Sequence, residues 1–253
     1  MGLFDKKYCD VCGAKIGLLG NRKLEDGNLC KSCAAKLSPW FSERRHSSLA
    51  EIKEQLDYRE ANRERVAAFR CTKTLGLSTK VLLDEDAGKF LVTTTGRLDD
   101  ENPDVLDFSQ VTGCDLDVRE NRRELYREDS EGRQVSYSPP RYQYEYDFYV
   151  VIHVNAPYFD EIRFRLNSSS IEVQPRPGFL AASIDAKRDF AYQQCEALGN
   201  EIKAELTKVR QSVRDSAAAA GAPKTAVTCP YCGATTVPDA NGCCEYCGGA
   251  LGG

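Results

Sequence analysis

Tyr8 to Cys33 reads YCDVCGAKIGLLGNRKLEDGNLCKSC: two Cys-x2-Cys pairs, Cys9 with Cys12 and Cys30 with Cys33, separated by seventeen residues. Two thiolates two residues apart can both face one tetrahedral ion about 2.3 Å away, and two such pairs fill its coordination, so the spacing predicts a four-cysteine zinc site. Gly13 follows the first pair and allows a tight turn under the metal. Asp26-Gly27 between the pairs is a hairpin signal, and Ala34, Ala35, Lys36 and Leu37 after the second pair are good helix formers. Knuckle, hairpin and helix together predict a treble-clef-like finger over residues 1–46.

The other end repeats the pattern. TCPYCGATTVPDANGCCEYCGG carries Cys229-x2-Cys232 and, eleven residues on, Cys244-x2-Cys247, each pair followed by Gly. That gap is short for such a site, but a ribbon needs only a hairpin between its knuckles. Residues 228–253 therefore read as a zinc ribbon and bring the expected zinc count to two. Cys243 adjoins Cys244 and competes as the ligand; Cys244 is favoured because it preserves the Cys-x2-Cys geometry. Twelve cysteines in a chain of 253 residues would suit a disulfide framework only in an oxidising compartment. The opening MGLFDKK lacks the apolar run of a signal peptide, Lys6 stands where myristoylation favours Ser or Thr, and no stretch of 18 apolar residues occurs. The expectation is a soluble, cytoplasmic protein whose paired cysteines bind metal, with Cys71, Cys114 and Cys195 as small buried hydrophobes.

Between the clusters the chain is of mixed character. Ser47 or Ser48 can cap an amphipathic connecting helix over 47–70, with a narrow apolar stripe through Leu49, Ile52, Leu56, Val66 and Phe69. Glu51, Lys53, Glu54, Arg59, Glu60, Arg63 and Glu64 are expected on its solvated side. Residues 71–178 alternate Val, Thr, Tyr and Phe with polar residues in KVLLD, KFLVTTT, YEYDFYVVIHV and EIRFRL, which predicts about seven antiparallel strands in a small barrel or sandwich uninterrupted by helix. SPPRYQYEY is expected to be a loop. A long helix is predicted over 179–216, with Ile184, Ala191, Cys195, Leu198, Ile202, Leu206, Val209 and Val213 on one face, long enough to offer self-association. SAAAAGAPKTA suggests a flexible linker over 217–227. The fold class is α+β, multidomain.

CDVCG, KLEDGNLCKSC and the SPWF after them resemble an uncharacterised bacterial family, found mainly in Gram-positive organisms, whose members open with a small four-cysteine domain. The resemblance covers roughly residues 8–56 and implies zinc binding and a bacterial source; that family has no assigned activity. The strand-rich middle with its following helix, and phrases such as VLDFSQV, look like bacterial pleckstrin-homology-like modules, and the tail looks like zinc ribbons that contact proteins or nucleic acids.

Charge narrows the partners. The formal net charge is −4, so no bulk positive field draws the chain to nucleic acid or anionic lipid. Residues 71–170 hold 12 basic and 19 acidic side chains, while residues 1–46 hold nine basic and five acidic. Arg119, Arg122, Arg123 and Arg127 are interleaved with Glu120, Glu124 and Glu128, the pattern of a solvated strand pair. Four thiolates close a zinc shell, where catalytic zinc keeps an open position. The Cys-x2-Cys pairs come in twos and lack the βαβ setting of a thioredoxin-like motif. His46 reads as surface and His153 as a strand residue; no nucleotide loop, nucleophile elbow or zinc-protease motif occurs. The expectation is a non-catalytic adaptor or scaffold that binds a protein. The alternatives are a lipid or membrane-surface sensor using the β-domain, or a nucleic-acid-binding regulator using the fingers.

Overall fold

A computed structural model describes residues 6–173, 186–221, 226–238 and 243–251, with side chains described up to residue 215 in the long helix. It divides into two compact units, Met1–Arg210 and Gln211–Gly253.

The first unit opens with two short antiparallel hairpins, β1 (Lys7–Tyr8) with β2 (Lys15–Ile16) and β3 (Arg22–Lys23) with β4 (Asn28–Leu29), followed by the one-turn helix α1 (Lys31–Ala34). A 3-10 turn over Glu43–His46 leads into α2 (Leu49–Ala68). Ser48 starts α2 with a reciprocal capping box: its Oγ accepts the Glu51 N–H and Glu51 Oε2 accepts the Ser48 N–H at 2.7 Å. Asp26, in the turn of the second hairpin, accepts the Leu49 N–H at 2.7 Å. The finger and the start of α2 share one core of Ile16, Leu24, Leu29, Leu37 and Ile52, together with Cys9 and Cys33.

The buried face of α2 is not the apolar stripe that composition suggests. It runs Ile52, Gln55, Arg59, Asn62 and Val66 at three- and four-residue steps. Arg59, expected in solvent, is 5% exposed. Its Nη1 donates to Asp104 Oδ1 at 2.7 Å, its Nη2 to the Asn102 carbonyl and its Nε to the Lys36 carbonyl at 3.2 Å. Ser38 Oγ donates to the other Asp104 oxygen at 2.7 Å. Asn62 Nδ2 donates to the Pro103 carbonyl at 2.8 Å, and Asn62 Oδ1 accepts the Val105 N–H at 3.1 Å. This latch ties finger, helix and the 102–105 segment together. Counting apolar residues misses it because the stripe continues through polar side chains whose partners lie more than 20 positions away.

Eight strands follow, one more than expected, all paired antiparallel. β5 (Lys73–Gly76), β6 (Lys80–Asp84), β7 (Lys89–Thr93) and β8 (Leu106–Asp107) form one sheet in that order, and a short helix α3 (Leu98–Glu101) interrupts the run before β8. A 3-10 turn over Phe108–Gln110 precedes the second sheet. There β10 (Gln134–Val154) is flanked on one side by β9 (Val111–Glu128) and on the other by β11 (Glu161–Arg165) and β12 (Ile171–Val173). The turn between β5 and β6 leaves no room for a side chain. Gly76 has φ +95°, and a Cβ there would meet the Thr79 carbonyl oxygen at 2.3 Å. Gly76→Ala should cost about 2–3 kcal/mol, the scale of a strained backbone that cannot relax, read as a shift in the urea midpoint at unchanged slope.

The SPPRYQYEY segment lies inside β10 and is not a loop. Tyr142, Tyr144 and Tyr146 alternate with polar residues and pair with Glu124, Arg122 and Glu120. The register jumps from Ser136 to Arg141, so Pro139 and Pro140 sit in a bulge where no ladder N–H is required of them.

The helix α4 (Phe190–Gly221) is preceded by a 3-10 turn over Ala186–Arg188. The predicted start at residue 179, with Ile184, lies outside the described residues. Asp189 Oδ1 accepts the Tyr192 N–H at 3.1 Å and so caps the helix. In the first unit α4 buries Tyr192, Ile202, Leu206 and Val209, whereas Ala191 is exposed and Cys195 and Leu198 are half-buried. Tyr192 meets the rings of Tyr146 and Phe148 edge-on at 5.1 and 4.9 Å, and Gly199 lets the helix close on Leu116. Lys73–Glu205 at 2.7 Å and Lys203–Asp115 at 3.1 Å tie α4 to both sheets.

The second unit holds the last turns of α4 and a short hairpin, β13 (Val227–Thr228) with β14 (Thr235–Thr236). The alanine run expected as linker continues α4 to Gly221, consistent with alanine having the highest helix propensity; residues 222–225 lie outside the described residues. No helix among the described residues is long and apolar enough to cross a membrane.

Candidate metal centres

Three of the four Cys-x2-Cys pairs are built as the same backbone knuckle. Gly13 N–H donates to the Cys9 carbonyl at 2.8 Å and Cys9 N–H to the Ala14 carbonyl at 2.9 Å. The same two bonds recur at Gly233 with Cys229 and Ala234, and at Gly248 with Cys244 and Gly249. Each closing glycine takes the left-handed conformation, with φ +71°, +73° and +69°. The fourth pair is different: Cys30 caps α1, its sulfur accepting the Cys33 N–H at 3.4 Å, and Cys33 lies in the helical turn. The N-terminal cluster thus joins a knuckle to a helix, and the C-terminal cluster joins two knuckles.

In both clusters the four sulfurs lie within 4.8 Å of one another: Cys9, Cys12, Cys30 and Cys33 in the first, Cys229, Cys232, Cys244 and Cys247 in the second. Cys12 and Cys30 Sγ are 3.7 Å apart, Cys229 and Cys247 3.6 Å, Cys232 and Cys244 3.7 Å. Sulfurs at the corners of a tetrahedron about 2.3 Å from its centre would be about 3.8 Å apart. The donor sets therefore fit zinc, one ion each.

Charge supports the same conclusion. Burial raises the Cys9 thiol, but the N–H groups of Cys12, Cys30 and Val11 aimed at its sulfur outweigh that and bring it down to about 6. Cys33, raised by burial and then by its three neighbouring sulfurs, is held protonated. In the second cluster, burial of Cys229 is outweighed by the N–H groups of Cys232 and Tyr231, which lower it to about 7. Cys247 receives the Gly249 N–H, yet the thiols of Cys232 and Cys229 push it up to about 12. Four sulfurs this close cannot all ionise by themselves; a dication makes that possible, and binding it releases the remaining protons.

His46 is exposed at the end of its 3-10 turn, outside the cluster. His153 is half-buried in β10, with Nε2 3.4 Å from Asp115. Of the isolated cysteines only Cys114 is buried; Cys195 is half-buried and Cys71 is exposed, its sulfur near the Thr74 hydroxyl at 3.4 Å. Cys71 precedes β5, outside any buried alternation, so it does not serve as a core residue.

Residues 7–55 match the model of a family described as a domain of unknown function, DUF4428. The matched segment runs from β1 through the finger to Gln55 inside α2, so it takes in the N-terminal cluster and the helix that shares its core. No curated protein and no solved structure matches the chain.

Cys243 forms the bridge to Ala250 beside the second cluster, while Cys244 is the buried neighbour whose sulfur joins it. Cys244→Ser should lower the zinc count of the purified chain by one, and Cys243→Ser should leave it unchanged. Intact mass under native conditions reads both.

Proposed function

We propose that the chain is a non-catalytic zinc-binding adaptor or scaffold of the bacterial cytoplasm that holds another protein. In this reading a treble-clef-like finger and a terminal zinc ribbon flank a pleckstrin-homology-like β-domain, whose two antiparallel sheets precede α4. The all-thiolate donor sets support a structural role for the metals, because they leave no position for a substrate.

The observation that carries protein recognition is the far end of the β9–β10 ribbon. Beyond the residues that pair with β12, Gln134–Gln143 of β10 has β9 as its one strand partner, and β9 has β10 as its one strand partner, among the described residues. This arm displays stacked arginine and tyrosine side chains: Arg122 lies 4.5 Å from the Tyr142 ring centre and Arg141 4.5 Å from that of Tyr137. Arginine and tyrosine are, with tryptophan, the residues enriched at binding hot spots, and stacking holds each guanidinium in place before a partner arrives. The interleaved Glu120, Glu124 and Glu128 favour a mixed-charge protein surface over phosphate.

A photo-crosslinking residue at Tyr137, compared with one at exposed Leu77 in the β5–β6 turn, tests this in the native host. A discrete adduct at Tyr137 that Arg122→Glu with Arg141→Glu abolishes is the expected result. Adducts at both sites alike would count against the ribbon, and turnover by the purified chain with a hydrolase or transferase substrate panel would overturn the non-catalytic reading.

A further inference from the structure

We infer that the tip of the first finger docks on an anionic lipid bilayer, with Leu18 and Leu19 entering the interface and Arg22, Lys23, Arg44 and Arg45 meeting lipid phosphates. The inference rests on the finger's own surface and does not depend on the adaptor reading.

Leu18 and Leu19 are 92% and 89% exposed, the most exposed large apolar side chains among the described residues. They form the apex of the loop between β2 and β3, bracketed by Gly17 and Gly20. The loop is built to present them. Gly20 N–H donates to the Gly17 carbonyl at 3.0 Å, Arg22 Nη1 donates to the Leu19 carbonyl at 3.3 Å, and the buried Ile16 anchors the base in the finger core. Two adjacent leucines held in water are costly unless something apolar covers them.

The surface beside the apex is basic. Arg44 Nη1 donates to the Lys23 carbonyl at 2.6 Å, which brings the 3-10 turn against β3. Burial, then the charges of Arg45 and Arg22, hold the Arg44 guanidinium below its ordinary range, so the three arginines lie close enough to repel. Three of the finger's carboxylates are engaged elsewhere: Asp10 accepts the Asn28 N–H, Asp26 the Leu49 N–H and Glu43 the Ser42 hydroxyl, while Glu25 is exposed. None of Arg22, Lys23, Arg44 and Arg45 forms an ion pair among the described residues.

An apolar apex with a cationic shoulder matches the order of a membrane interface, where hydrocarbon lies beneath a layer of phosphate. A nucleic-acid backbone would use the arginines and leave the leucines wet; an apolar protein groove would cover the leucines and strand the arginines. The net charge of −4 makes such a contact local, so this end is the one an anionic surface attracts.

The test is sedimentation of the full, zinc-loaded chain with vesicles of phosphatidylcholine, alone or mixed with phosphatidylglycerol. The expected result is binding to the mixed vesicles only, weakened by salt. Leu18→Ser with Leu19→Ser should reduce it at least about tenfold, and Arg45→Glu by a similar factor, with the zinc count of each variant unchanged in native mass spectra. Failure of the wild type to sediment, equal binding by the leucine variant, or equal binding to neutral vesicles would overturn the inference. So would a gel shift with nucleic acid that the leucine variant retains while vesicles capture nothing.

Discussion

Stripping zinc from the first cluster, or replacing Cys33 with Ser, is expected to unfold residues 7–55 while the β9–β10 ladder stays folded. The apolar core of the finger amounts to Ile16, Leu24, Leu29 and Leu37, with Ile52 lent by α2. Domains below about 40 residues seldom stand on a core of that size without a metal or disulfide. Structural zinc contributes roughly 10–16 kcal/mol of apparent binding energy to small four-ligand domains, comparable to the whole stability of an ordinary domain. The sheets have their own core in Phe90, Phe148, Ile152 and Ile162, all less than 2% exposed. Hydrogen exchange with and without a strong chelator separates the two regions. Amides of Cys9, Gly13 and Ala34, which donate to carbonyls in the finger, should lose protection, and those of β10 should keep most of theirs. Unchanged exchange in the finger after complete removal of metal would mean that zinc does not hold this fold together.

Arg59→Ala should destabilise the first unit by about 3–5 kcal/mol, because it leaves the buried Asp104 carboxylate without its counter-ion. Lysine at 59 should recover only part of the loss, since one ammonium cannot reach Asp104, Asn102 and Lys36 with the fixed fork of a guanidinium. The effect carries a pH signature. Burial pushes the Asp104 carboxyl above the usual range, while the Arg59 charge and the Ser38 and Arg59 hydrogen bonds pull it back. A carboxyl raised in the folded state favours folding most fully below its unfolded value, and that contribution is lost as pH rises through the folded value. Removing Arg59 raises the folded value further, so the variant should lose more relative to wild type at neutral pH than in acid near the unfolded value of about 4, where more of the carboxyl is protonated. Denaturant melts at both pH values measure this. A loss below about 0.5 kcal/mol at neutral pH would place the latch with ordinary surface substitutions.

The contrast between clusters and latch explains what the sequence could disclose. Ligands to one ion must sit at fixed local spacing, so Cys9-x2-Cys12 and Cys229-x2-Cys232 stand out in the primary structure, and the glycine after each knuckle is required by its positive φ. Arg59 and Asp104 obey no local rule; each is an ordinary charged residue until the fold brings them to 2.7 Å. The prolines of SPPRYQYEY suggest a break, and only the register shift opposite β9 shows how a strand accommodates them. The serine and alanine run after residue 215 reads as a linker by composition and as helix by propensity, and the backbone follows propensity to Gly221. Leu18 and Leu19 are visible as apolar residues in any reading, but their exposure emerges once Ile16, Leu24 and Leu29 have filled the small core beneath them.

The two-zinc account is tested most directly by native mass spectrometry of the full reduced chain, reading metal mass and subunit number together. It predicts two zinc ions per chain, falling to one with Cys30→Ser or Cys244→Ser. One zinc or none in the wild type, with all eight clustered cysteines reduced and unmodified, would contradict it.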